Sequence, residues 1–355
     1  IINTNNLHIV NGTIKSDNAS GIYGKTNEGT ITIDEGVTVI GTTAVDTETK
    51  NTINITKATL IGSSNGLKST GAQSNITLNQ VNVTGTSGQG VQASGNNSTL
   101  TIIDSTITAG VDAINPNGNS TNVTVSGSTI TGTSSPCAIY SNNSIVNLSD
   151  SSFTGNSYGI YLNSYKINIS VTNCNIKSNN GVGIHDVYNG NSGGNTLTIT
   201  GGSVQGATHG IFTYYTHITT SSTTIKTTST SKDNYCIYVN NNYPNITLNE
   251  GTKLIAPNAS GFRNATKAVI NDVEVKAEGT DAYGVVNSES GNLKIYGGTI
   301  FGKKYGLYQN NANATTIIGN SEENLSITSP LIESEQYGVY KASGTTNIYS
   351  GRLKG

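Results

Sequence analysis

A unit of three short apolar beats recurs along almost the whole chain, and it leaves few folds open. The stretch Tyr158–Ser178 shows it: Gly159-Ile160-Tyr161, then Ile169-Ser170-Val171, then Asn175-Ile176-Lys177. Each beat alternates apolar and polar residues, the period-2 pattern of a strand with one buried face. Val171 and Ile176 are five residues apart, which leaves room only for a tight corner.

Aligned on its apolar residue, the first beat reads Ile22, Val45, Leu67, Val91, Ile114, Ile139, Ile160, Ile184, Ile211, Ile237, Phe262, Val285, Leu307 and Val339. The residue before each is small, usually Gly. The second beat runs from Ile9 through Ile102, Val125 and Ile295 to Ile327 and Ile348, and the third from Ile14 to Leu353. Residues 309–324 read as an insertion that contains 315–318. A period in this range marks stacked repeats, because one unit cannot bury its own apolar face. The expected fold is an all-β, right-handed, three-sheet parallel β-helix of about 15 rungs, roughly 24 residues each. It forms a single domain over residues 1–355.

The Gly-[Ile/Val/Leu]-Tyr beat (Gly159-Ile160-Tyr161, Gly338-Val339-Tyr340) and the beat Ser128–Gly132 resemble the parallel β-helices of the pectate-lyase-like superfamily. In texture the chain is most similar to the repetitive passenger and stalk regions of bacterial surface adhesins. The resemblance covers residues 7–355 and implies a secreted or cell-surface location. It is specific for fold and not for function, since one such fold hosts many activities.

Composition excludes several function classes. Net charge is −2 and only two arginines are present, Arg263 and Arg352, so the clustered cations needed for nucleic acid are missing. No apolar run reaches membrane-spanning length, so no membrane insertion is expected of these residues. The chain lacks methionine and its ends open directly onto strands, as expected of a fragment of a longer surface protein. Three cysteines, Cys137, Cys174 and Cys236, stand at unrelated repeat positions and read as small buried apolar residues rather than a disulfide framework.

Relatives with lyase or glycosidase activity use clustered acids, with Ca²⁺ or as close carboxylate pairs. Here the acids are dispersed: Asp34, Asp104, Asp150 and Asp272 sit at or near the corner after the second beat of separate rungs. The best catalytic constellation is His185-Asp186, with His209 one rung on, but neighbours along a strand point to opposite faces. We therefore expect no catalytic residues, no metal site and no cofactor. A polysaccharide lyase, hydrolase or phage tailspike-like module is the alternative. The threonine columns on the other two faces (Thr101 and Thr124, for example) are too interrupted for an ice-binding array.

The informative surface is the column just after the first-beat core residue: Tyr140, Tyr161, His185, Phe212, Tyr238 and Arg263. Alternation turns it outward. These six residues are the candidate ligand-binding site, suited to a host or cell-surface protein or glycan through aromatic contact. A second aromatic column, Tyr158, His209, Tyr235, Tyr283, Tyr305 and Tyr337, widens the stripe if the glycine corner turns it out. Stacked asparagines such as Asn142 are expected to form hydrogen-bond ladders at corners.

Overall fold

A computed structural model describes residues 1–355 except 4, 26, 189–193, 242 and 321–328. The chain is an all-β parallel β-solenoid of about 15 turns, about 23 residues per turn. Among the described residues there are 43 strands and no helix. It clusters into two compact units, Ile1–Asn175 and Ile176–Gly355.

In the first unit the second-beat strands form a ladder of their own. Asn75–Asn79, Thr99–Ile103, Asn122–Ser126 and Ile145–Ser149 pair in parallel with no shift of register. Third-beat and first-beat strands share one sheet, because Thr38–Thr47 and Thr59–Ser69 run unbroken through the corner between them. The strand Ile2–Asn3 pairs with Ile22–Gly24, so the first turn already has its first-beat strand.

The core is the stack of inward aliphatic residues. Ile76, Leu78, Leu100, Ile102 and Val125 are all fully buried, and each side chain of this size contributes roughly 1.5–3 kcal/mol by leaving water. The corner after the second beat needs one residue in the left-handed region. Lys57, Gln80, Asp104, Gly127, Asp150 and Asn173 supply it, with φ between 47° and 58°. Asp and Asn tolerate that region better than most residues, so Asp104 and Asp150 are corner residues. Serines complete the corner: Ser105 Oγ accepts from the Val81 amide, Ser128 Oγ from Ser105 and Ser151 Oγ from Ser128, each at 3.0 Å.

The small residue before the first beat has a steric cause. A Cβ on Gly66 would lie 2.2 Å from Val83 Cγ1, and one on Gly210 2.6 Å from Ile225 Cγ2. The asparagine ladder also forms. Asn142 Nδ2 donates to Asn119 Oδ1 at 3.1 Å, and the Asn119 backbone N–H donates to Asn96 Oδ1 at 2.9 Å.

Two register assignments are corrected. Ile114 pairs with Cys137, and Cys137 with Ile160, so Cys137 is the first-beat core residue and Ile139 lies level with Leu162. A slip of two residues keeps every side chain on its face, so alternation cannot detect it. Ile318 pairs with Ile295 and Ile348, which makes Thr315–Ile318 the second-beat strand rather than part of an insertion. Ile327, assigned to that column from the sequence, lies outside the described residues.

The second unit has an inward column that alternation predicts to be apolar but that is polar in five of six rungs: Asp186, Thr213, Val239, Asn264, Asn287 and Gln309. All six are buried. Asn264 Nδ2 donates to Asn287 Oδ1 at 3.0 Å, and Asn287 Nδ2 donates to Thr316 Oγ1 at 2.9 Å. Gln309 Nε2 donates to the carbonyls of Ala314, Ser343 and Thr345. These amides are tolerated inside because each has partners in its own or the next turn.

Candidate functional site: the aromatic face

In the second unit four of the six candidates stand in register. His185 is level with Phe212, Phe212 with Tyr238, and Tyr238 with Arg263. Phe212 and Tyr238 stack almost parallel, 4.8 Å between centroids and 4° between planes. The His185 ring meets Phe212 edge-on at 5.1 Å. The Arg263 guanidinium lies 4.7 Å from the Tyr238 centroid. Arg263 is anchored, its Nη1 donating to the Val239 carbonyl at 2.8 Å and its Nη2 paired with Glu289 at 2.7 Å.

The second aromatic column does turn out beside the first. His209 lies 5.5 Å from Phe212 and 5.1 Å from Tyr238, and Tyr235 lies 5.6 Å from Tyr238. His209 Nδ1 accepts the Tyr235 amide at 3.0 Å. Burial drives the His209 imidazolium down to about pKa 4, and burial likewise lowers His185. Both rings are therefore neutral near pH 7.

A further patch lies in the same two columns. Tyr283, Tyr305, Tyr308, Tyr337 and Tyr340 form a continuous ring cluster, with Tyr305 and Tyr340 stacked at 4.7 Å and 10°. Tyr337 is 56% exposed and Tyr340 39%. These five complete the aromatic face but are missing from the six candidates; their signal was the same column read further along. Val286, level with Arg263 and buried, separates the two patches.

Ring faces inside these stacks are covered by other rings or by Arg263. Phe212 and Tyr238, and Tyr305 and Tyr340, each turn one face onto the other ring, and the tyrosines add phenol hydroxyls that suit acceptor oxygens.

In the first unit Tyr161 is level with Ala138, not with Tyr140. Tyr140 lies just past the strand Ser135–Ile139 and so is out of the ladder register. Its ring still approaches Tyr161 at 5.8 Å, and Tyr158 lies 4.9 Å from Tyr161. Burial, followed by the nearby Asp112 charge, raises the Tyr140 phenol.

His185 and Asp186 diverge. His185 joins the aromatic face, whereas Asp186 points inward and is 1% exposed. Asp186 Oδ2 accepts from Thr213 Oγ1, Tyr215 N, Thr216 N and Thr216 Oγ1 at 2.9–3.0 Å, and Oδ1 from Tyr188 N at 3.1 Å. This carboxylate staples two turns. All three cysteines are free and buried, and burial pushes the Cys137 and Cys236 thiols up to about 12, which makes them unreactive. Among the described residues no group of three or more His, Cys, Asp or Glu could hold a metal ion, and no helix is long and apolar enough to cross a membrane. No family model, no curated protein and no solved structure matches the chain, so its functional reading rests on the geometry of this face.

Proposed function

We propose that this chain is a non-enzymatic, adhesin-like β-solenoid, secreted or displayed on a bacterial cell surface. Its aromatic face holds an extended segment of a host or cell-surface glycan or protein. The carrying observation is the in-register ladder His185, Phe212, Tyr238 and Arg263, continued on the same columns by five tyrosines. Successive rungs repeat at about 4.8 Å, so a row of rings and hydroxyls fits a polymer better than a compact molecule. The other outward columns carry hydroxyls instead, as at Thr77, Thr101 and Thr124. The kinship with pectate-lyase-like helices and adhesin passengers belongs to this proposal and rests on the Gly-Ile-Tyr beats.

The test is binding of the whole chain to a glycan microarray and to host-cell surfaces. Tyr238→Ala and Tyr161→Ala should each weaken binding by about 1 kcal/mol or more, while Thr101→Ala and Thr124→Ala should not. Binding that survives the tyrosine changes and falls with the threonine changes overturns the assignment. Turnover of polysaccharide in the same panel, lost on Asp186→Asn, would support a carbohydrate-active enzyme instead.

A further inference from the structure

The second-beat ladder of the second unit carries an open groove, on a different sheet from the aromatic face. Its strands Asn245–Leu248, Lys267–Ile270 and Asn292–Ile295 pair in parallel in successive turns. Alternation turns Asn245, Thr247, Lys267, Val269, Asn292 and Lys294 outward, and all six are exposed or half-exposed. These residues line a groove of about 400 Å³. Thr247 and Val269, level with each other, are short side chains among longer lysines and asparagines, which accounts for the depression.

Charge sets this groove apart. In the second unit the two outward columns of the ladder run from Thr196 to Thr345 and from Thr198 to Asn347. Neither column contains Asp or Glu, and Lys267 and Lys294 are their only lysines or arginines. By contrast, Lys253, Lys276 and Lys304 pair with Glu274, Glu278 and Asp281 at 2.8–2.9 Å. Among the described residues the side chains of Asn245, Lys267, Asn292 and Lys294 have no hydrogen-bond or ion-pair partner. Lys267 is level with Asn292 and Lys294 with Val269, so the two lysines stand diagonally on adjacent turns, their Cα atoms about 8 Å apart. With no carboxylate between them, they set up a local positive potential in a chain of net charge −2. An anion held between them offsets their mutual repulsion.

The surroundings select the kind of anion. Each of the three strands is paired on both sides, so no free edge is offered to an extended peptide. Two cations are too few to hold nucleic acid. The asparagine amides and the Thr247 hydroxyl supply donors and acceptors that match sugar hydroxyls. We propose that this groove is a second binding site, independent of the aromatic face, for an acidic glycan. Lys267 and Lys294 hold its sulfate or carboxylate group, and Asn245, Thr247 and Asn292 hold the neighbouring hydroxyls.

The experiment is calorimetric titration of the full chain at neutral pH with four probes: a carrageenan oligosaccharide (sulfate only), a hyaluronan oligosaccharide (carboxylate only), a neutral maltooligosaccharide and a polyglutamate peptide. At least one acidic glycan should bind, about tenfold or more tighter than the neutral sugar and the peptide, and should weaken as salt is raised. Lys267→Gln and Lys294→Gln should each weaken it about threefold, and the double variant about tenfold. Their melts should match the parent, because neither side chain is buried. Lys253→Gln removes the same charge from another face and should leave the affinity unaltered, as should Tyr238→Ala. Binding of only one of the two acidic glycans supports the proposal and identifies the anion. Absence of binding to both, equal binding of the neutral sugar or polyglutamate, or full affinity in the double variant overturns it. Loss on Tyr238→Ala with the double variant intact also overturns it, and assigns the glycan to the aromatic face instead.

Discussion

Replacing Asp186 by alanine tests whether this residue is structural or chemical. One oxygen of its buried carboxylate accepts four hydrogen bonds and the other accepts one. Alanine would leave the Tyr215 and Tyr188 amides without these acceptors; Thr216 N keeps its second bond, to Thr213 Oγ1 at 2.9 Å, and the two hydroxyls can rotate. A stranded buried donor costs about 1–3 kcal/mol, and hydrogen bonds to a charged group contribute more than neutral ones. The expected loss is therefore about 3–5 kcal/mol. In a cooperative unit of this size that lowers the melting temperature by about 10 °C. Asp186→Asn keeps the shape but sets an NH₂ against the Tyr188 amide, at about 1–2 kcal/mol. Thermal melts followed by far-UV circular dichroism measure both. An alanine variant melting within a degree of the parent would refute the staple, and the five hydrogen bonds would then contribute nothing net.

Acid should destabilise the second unit before its carboxylates titrate. His209 titrates near 6.5 when unfolded and about 4 when folded, so the unfolded chain binds the extra proton first. Stability is complete above pH 6.5 and falls by up to about 3 kcal/mol as pH drops to about 4; urea midpoints across that range should show it, with His209→Gln flattening the curve. Gly66→Ala should cost about 1–3 kcal/mol by overpacking against Val83, and a melt identical to the parent would show that the corner relaxes freely.

Much of this protein was legible in the sequence because a solenoid's turns share one constraint. Period-2 alternation decides which residues face inward, and the recurrence of the beats decides that they stack. Hence Ile102 and Val125 read as core, and His185, Phe212, Tyr238 and Arg263 as neighbours in one column. Alternation is blind to a slip of two, so only backbone pairing put Cys137 rather than Ile139 beside Ile160 and displaced Tyr140 from the ladder. Alternation puts Asp186, Asn264, Asn287 and Gln309 on the inward side, where their polarity gives no reason to expect them. They are inside because hydrogen bonds within and between turns offset their burial. Whether an aromatic column shows faces or edges depends on side-chain torsions set by the next turn, so the parallel stacking of Phe212 on Tyr238 was decided by the tertiary structure alone.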